Sequence, residues 1–351
     1  MIIMKNKHYL TITMLFVLTI NVKAQDIHFS QFTMTPLAID PSQTGKFGGD
    51  QRVILNYRDQ WRSIANPYTT YGLSFDSRLS KKDNFLGAGI TVYNDKAGDI
   101  NMGLLSLNLS LAYHAMLTDN SYISGGVQGG FLQRKLDPSK LRYDNQYDGF
   151  GHNETYGSNE VINSSSFFQP DFAIGVSYSY GVSTNRIISN NGFDGTKLNI
   201  GGSVQHVSNS KFTFLGDNNE KQAFKYTLHA NTSFGVRNTN MALQPSGFIA
   251  YQQGAIELTL GSYYRYTLRE KSRFTKFSNG AAINFGTHYR VGDAFILSTL
   301  VETGSLAFGF SYDFNFSGLT EASNGKGGFE ISLRYISPNP FGTRRSQARF
   351  F

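Results

Sequence analysis

Seven histidines (His8, His28, His114, His152, His206, His229 and His288) are the obvious candidates for acid–base or metal chemistry, and cysteine is absent. None of them pairs at ligand spacing, and there is no His-Glu-x-x-His, Gly-x-Ser-x-Gly or phosphate-loop motif. Without thiols there is neither a disulfide framework nor a thiolate metal site. Asp144-Asn145-Gln146-Tyr147-Asp148-Gly149 has the look of an opening calcium loop. Gln146 is a poor third ligand, however, and Thr155 stands where the twelfth-position Glu belongs, so a polar surface loop explains it better. Gly87, Gly89, Gly125, Gly126, Gly129 and Gly130 could cradle phosphate, but no helix follows them. Kinks, bulges or close backbone approach within strands suit them better. The chain is therefore read as a non-enzyme, with no catalytic, cofactor-binding or metal residue nominated. A barrel hydrolase would assemble its Ser–His or carboxylate–His site from residues far apart in sequence.

Two clusters stand out near the N-terminus. Tyr57-Arg58-Asp59-Gln60-Trp61-Arg62 holds the only Trp beside two Arg and an Asp. An Arg–carboxylate pair stacked on an aromatic suits a partly enclosed site. Before it, residues 25–50 contain Pro36 and Pro41, which break regular structure, while Phe29, Phe32, Leu37 and Ile39 need burial. The inside of a barrel would shelter them, so this stretch is expected to be a plug-like segment.

The elements that would position these residues are strands. Leu105, Leu107, Leu109, Leu111, Tyr113, Ala115 and Leu117 share one parity, and Ser106, Asn108, Ser110, Ala112, His114 and Met116 the other. A period of two places the sets on opposite faces. The pattern recurs down the chain and predicts fourteen strands: 51–58, 68–79, 86–94, 103–117, 121–134, 168–181, 196–208, 222–237, 242–252, 255–267, 278–290, 293–302, 305–315 and 327–336. Apolar-out, polar-in strands of about 10 residues, even in number, describe an all-β transmembrane antiparallel barrel. Aromatic residues near strand ends, such as Tyr178, Tyr180, Tyr264 and Tyr266, fit interfacial girdles; β-propensity in a soluble sandwich is the alternative source. His114, His229 and His288 fall on the polar parity and are expected in the lumen.

Composition agrees. Charged residues make up 16% of the 351, below the roughly 25% of soluble domains, with 29 Phe, 20 Tyr and 36 Gly. Lys5 and Lys7, the apolar run Tyr9 to Ile20, and Val22-Lys23-Ala24 read as a signal peptide over 1–24. Its removal takes three Lys and no acid, lowering the charge from +7 to +4, too mild to point to nucleic acid. Short connections at 118–121, 238–241 and 303–304 fit periplasmic turns, and 135–167, 208–222 and 315–327 fit extracellular loops; 181–195 and 267–277 are long for the periplasmic side. Lys326 to Leu333 resembles a final barrel strand. That makes 51–336 the barrel and 337–351 a periplasmic tail, unless the last strand instead ends at Phe351.

The N-terminal motifs resemble the PorP/SprF family, outer-membrane proteins of the type IX secretion and gliding-motility systems of Bacteroidetes. The carrying residues are Gln25-Asp26, Phe29-Ser30-Gln31, Pro36, Asp40-Pro41 and Gly45, then Tyr57-Arg58-x-Gln60-Trp61. Asn94-Asp95-x-x-Gly98, expected as a turn, and Gly309-Phe310-Ser311-Tyr312-Asp313 follow, with a closing strand from Phe329 to Tyr335. Asp40 replaces a more usual Asn, and Gln43-Thr44 the usual small and aromatic residues. The resemblance implies a fatty-acid-transporter-like barrel in the outer-membrane bilayer. It also implies a role in exporting or anchoring particular surface proteins, notably motility adhesins, through their C-terminal domain, together with other secretion components. The motif residues Asp26, Phe29, Ser30, Gln31, Pro36, Asp40, Pro41, Gly45, Tyr57, Arg58, Gln60, Trp61, Asn94, Asp95, Gly98, Tyr312 and Asp313 become candidates for structural support or partner contact. Transport of hydrophobic small molecules is the alternative function.

Overall fold

The computed structural model describes residues 26–62, 66–80, 83–98, 100, 102–153, 155–157, 165–183, 195–211, 214, 221–269, 280–317, 323 and 325–337. The signal-peptide reading and all of the C-terminal tail but Ser337 lie outside them. Among the described residues fourteen strands form the barrel: β1 (Gln51–Gln60), β2 (Tyr68–Arg78), β3 (Phe85–Ala97), β4 (Met102–Thr118), β5 (Ser121–Lys135), β6 (Ser166–Ser183) and β7 (Gly195–Gln205) make the first half. The second half is β8 (Lys225–Gly235), β9 (Met241–Gln252), β10 (Ala255–Arg269), β11 (Ala281–Arg290), β12 (Ala294–Thr303), β13 (Leu306–Asn315) and β14 (Lys326–Ser337). Each pairs antiparallel with its chain neighbours, and β14 closes on β1 from Gln51↔Ser337 to Gln60↔Gly328. Closure leaves no edge strand, which a bilayer demands because it offers no water to an unpaired amide.

The alternation sorts side chains by solvent. Leu109, Leu111, Tyr113, Phe172, Ile174, Leu228, Ile256 and Phe285 stand exposed on the outside, while Ser110, Asn108, Asp171, Ser177, His229 and Asn284 are buried within. This inverts a water-soluble protein and matches a wall whose outer solvent is lipid. No helix among the described residues is long and apolar enough to cross a membrane, which leaves the strands to do so.

Several strand ends differ from expectation. β3 continues through Asn94 and Asp95, so the turn begins only at Gly98, whose φ is +61°. β7 stops at Gln205 because His206 takes a positive φ of 61°. The strand that closes the barrel against β1 is Lys326–Ser337, and the alternative of a strand ending at Phe351 falls outside the described residues.

Residues Asp26–Phe47 run through the interior. Their first residues contact β13, β14 and the start of the β7–β8 connection, at the end where β1 finishes. Gly45 and Lys46 sit near the opposite end, from which β1 departs. Pro36 opens a one-turn helix (Pro36–Ile39), and Pro41 opens a 3-10 turn in which Asp40 accepts the Ser42 amide at 2.8 Å. The segment's apolar side chains meet one another and the wall. Phe32 stacks on Phe248 with ring centroids 5.7 Å apart and, with Ile39 and Ala250, forms a small buried cluster.

Candidate functional site

The N-terminal segment meets the barrel through three polar clusters. In the first, Glu330 on β14 receives the Ser30 amide at 2.5 Å and the Gln31 amide at 2.9 Å. Arg58 on β1 donates to Glu330 and, at 2.9 Å, to Ser30 Oγ, which in turn donates to Asp313 on β13 at 2.6 Å. Arg290, the last residue of β11, donates to Ser30 Oγ at 2.5 Å and to Asp313 at 3.2 Å. The Ser30 hydroxyl thus uses its single donor and both acceptor sites. Gln31 completes the cluster, donating to Ser311 Oγ at 3.2 Å and accepting from Ser332 Oγ at 2.9 Å. Arg58 is 1% exposed and Glu330 3%. Such deeply buried charges are tolerated only in this mutual pairing.

In the second cluster, His206 sits between two carboxylates, Asp26 at 2.6 Å and Asp171 on β6 at 2.8 Å. Burial disfavours the imidazolium, but the two acids outweigh that and push its pKa up to about 9. Burial likewise opposes charge on Asp26, yet His206, with help from Lys225 and Arg134, holds its carboxyl well below the usual range. Gln252 adds a hydrogen bond to Asp26 at 2.7 Å. The third cluster centres on Asp40, fully buried, whose Oδ2 accepts from His229 Nε2 at 2.9 Å. Beyond it, His114 Nε2 donates to the Thr44 carbonyl at 2.8 Å, and the Gly45 amide donates to Asp76 on β2 at 2.7 Å. Asp76 also receives Arg52 at 2.7 Å.

Glycines make room for this path. A Cβ on Gly126 would strike the backbone of Pro41, one on Gly175 the Asp40 carboxylate, and one on Gly87 the Thr44 carbonyl. Close backbone approach is therefore what these in-strand glycines provide.

Of the motif residues, Ser30, Gln31, Arg58 and Asp313 converge in one cluster, while Asp26, Asp40, Pro41 and Gly45 anchor the same segment further along. Phe29 packs on Tyr93 at 5.9 Å, and Pro36 caps its helical turn. The others sit elsewhere. Tyr57 lies between Tyr71 and Phe329 on the outer face, Trp61 meets Tyr68 edge-on at 4.6 Å, and Tyr312 meets Phe314 at 4.8 Å. Asp95 accepts from Thr70 at 2.6 Å; Asn94 and Gly98 flank it, and Gln60 ends β1. Within Tyr57–Arg62 an Arg–carboxylate pair does form, and it uses the second arginine. Asp59 binds Arg62 at 2.6 Å, whereas Arg58, on the opposite parity, reaches across to Glu330 and Asp313. Asp148, in the loop compared with a calcium site, accepts the Phe150 and Gly151 amides at 2.9 and 2.8 Å, an ordinary turn.

The sequence reading nominates none of Glu330, Arg290, His206, Asp76, Arg52 and Lys46, although it counts His206 among the histidines. All but His206 and Lys46 are charges on the inward parity of a membrane strand, which is the signal that could have found them. The three lumen histidines, His114, His229 and His288, bond to Thr44, Asp40 and Ser246. Among the described residues no group of three or more His or carboxylate side chains is arranged so that it could hold a metal ion.

A closed fourteen-strand wall, apolar outside and polar within, and threaded by its own N-terminal segment, defines an outer-membrane β-barrel. The family model for the type IX secretion system membrane protein PorP/SprF matches residues 21–335, so the chain belongs to that family. Among solved structures it is similar to the toluene transporter TodX of P. putida, at 11% identity over 84% of this chain and 92% of that one, with a TM-score of 0.45. The monoaromatic hydrocarbon channel CymD gives 9% identity, 87% and 93% coverage and a TM-score of 0.45. A Pseudomonas aeruginosa FadL homologue gives 10%, 84% and 91%, and 0.41. A comparison with curated proteins returns no match.

Proposed function

We propose that this barrel serves the type IX secretion system by exporting or anchoring particular surface proteins, motility adhesins among them, and that it does so by binding their C-terminal domain without catalysing a reaction. Family membership across nearly the whole chain is the observation that carries this reading. The N-terminal segment supports it as a plug. Residues 26–47 bond to inward side chains around the ring, so cargo is held at the barrel and does not pass freely through it. The motif residues Ser30, Gln31, Arg58 and Asp313 then act as structural support for the plugged state. Deleting the gene in the native cell, and affinity-purifying a tagged barrel from the outer membrane, tests the reading. It expects a large secreted protein to vanish from the surface and to co-purify through its C-terminal end. A surface proteome unchanged by the deletion would overturn it.

One observation favours transport of a hydrophobic small molecule instead. A small cavity beside Asp26 is partly lined by Ile27, Phe29, Leu104 and Leu132. Against it stand the closure of the wall and the polar lumen. Recovery of the barrel with bound lipid and no protein partner would favour transport.

A further inference from the structure

The outer wall carries a groove of about 400 Å³ that crosses β14, β1, β2 and β3, toward the end of the barrel where β1 finishes. Strand register sets the chemistry along it. Leu55, Leu73 and Val92 stand abreast on β1, β2 and β3, with Leu333 of β14 beside Leu55. Two residues further on, Tyr57, Tyr71 and Asn94 stand abreast, and two beyond them Asp59, Thr69 and Lys96. All share the outward parity, so the wall passes from aliphatic, through aromatic and amide, to charged in two steps of about 7 Å.

The charged row is held in place. Arg62, just past β1, turns back on Asp59, with Nη2 at 2.6 Å and Nε at 3.3 Å, and Tyr57 Oη donates to the same carboxylate at 3.2 Å. The Asp59 side chain is 1% exposed in this pairing, whereas that of Arg62 is 67% exposed. Those bonds use two of the five N–H donors of the guanidinium. Lys96 is exposed, and neither it nor the Asn94 amide makes a side-chain hydrogen bond or ion pair to another described residue. An amide on a lipid-facing wall is costly unless something there hydrogen-bonds it.

An acyl chain is already sheltered by the surrounding hydrocarbon, so the apolar rows gain little by covering one. Selectivity has to come from the polar rows. Lys96 stands two strands from Asp59, roughly 10 Å away, a span that two long side chains close on one phosphate. A phosphate there meets two cations against one carboxylate. Asn94, about 7 Å lower, is then level with the ester carbonyls that follow the phosphate in a phospholipid, and these accept from its amide. We propose that this groove is a binding site for an anionic phospholipid, with its phosphate at Lys96 and Arg62 and an acyl chain along the apolar rows. The site lies on the outer wall, away from the lumen clusters, and holds whether or not the barrel carries a cargo protein.

The full-length mature protein in detergent micelles is titrated with phosphatidylglycerol, or with phosphatidylcholine, whose headgroup is neutral overall, and released into native mass spectrometry. One phosphatidylglycerol is expected to stay bound at collision energies that strip phosphatidylcholine. Lys96→Gln is expected to weaken phosphatidylglycerol about fivefold, the effect of one cation beside the headgroup. Leu73→Trp fills the groove from an exposed position and should abolish the retained lipid, while Leu260→Trp on β10, across the barrel, should not. Equal retention of the two lipids, or Lys96→Gln and Leu73→Trp variants that hold phosphatidylglycerol as the parent does, would each overturn the proposal. Loss of the lipid to inorganic phosphate at equal concentration would overturn it in favour of a free anion.

Discussion

Arg58 shows why the buried charges here must be treated as a set. It faces Glu330 and Asp313 with almost no access to water, and Ser30 of the segment completes the group. Truncating one member leaves its partners charged and desolvated. Arg58→Ala is therefore expected to destabilise the folded barrel by about 3–5 kcal/mol, read from urea unfolding in liposomes; an unchanged midpoint would contradict the pairing. His206 carries a pH dependence of definite sign. Its pKa is raised from 6.5 to about 9, so its contribution is fully present below pH 6.5 and is lost as pH climbs through about 9. The shift corresponds to something on the order of 3 kcal/mol. Because the chain has no cysteine, a spin label at Ile27→Cys reports on the segment alone. The label should become mobile as pH passes about 9, and His206→Gln should abolish that step; a label immobile throughout would refute the His206 tether.

At the scale of elements, the segment and the strands are fitted to each other through missing side chains. Gly126 on β5 lies against the backbone of Pro41, while its neighbour Gly125 has open space on the outer side. Gly126→Leu is expected to dislodge the segment while the barrel still inserts, mobilising the label at position 27. Gly125→Ala should leave it in place. Equal behaviour of the two variants would mean that the close approach does not hold the segment.

For the whole molecule, the question is whether the lumen conducts. If residues 26–47 are a plug, their deletion should convert a silent barrel into an ion-conducting one in planar bilayers. The polar inner face left behind (Ser74, Asn108, Ser177, Asn199, Thr227) is suited to water. A deletion variant that inserts yet stays silent would refute the plug.

Much of this architecture was legible in the amino-acid order, because a period of two is a local property. Each strand records which side is lipid and which is lumen, residue by residue, and fourteen such records suffice for a closed wall. The motif residues could be picked out only through a family resemblance, and the in-strand glycines left kinks, bulges and close backbone approach open, of which the last holds at Gly87 and Gly126. What tertiary structure alone decided is who meets whom across the lumen. Arg58 and Glu330 lie 272 residues apart, and His206 and Asp26 180 apart. Nothing in the neighbourhood of either residue encodes the other, because the contact exists only once closure brings β1 beside β14 and folds the segment inside. Asp59, next door to Arg58, points to the opposite face of the same strand and pairs with Arg62 instead, so pleat geometry overrules proximity in sequence.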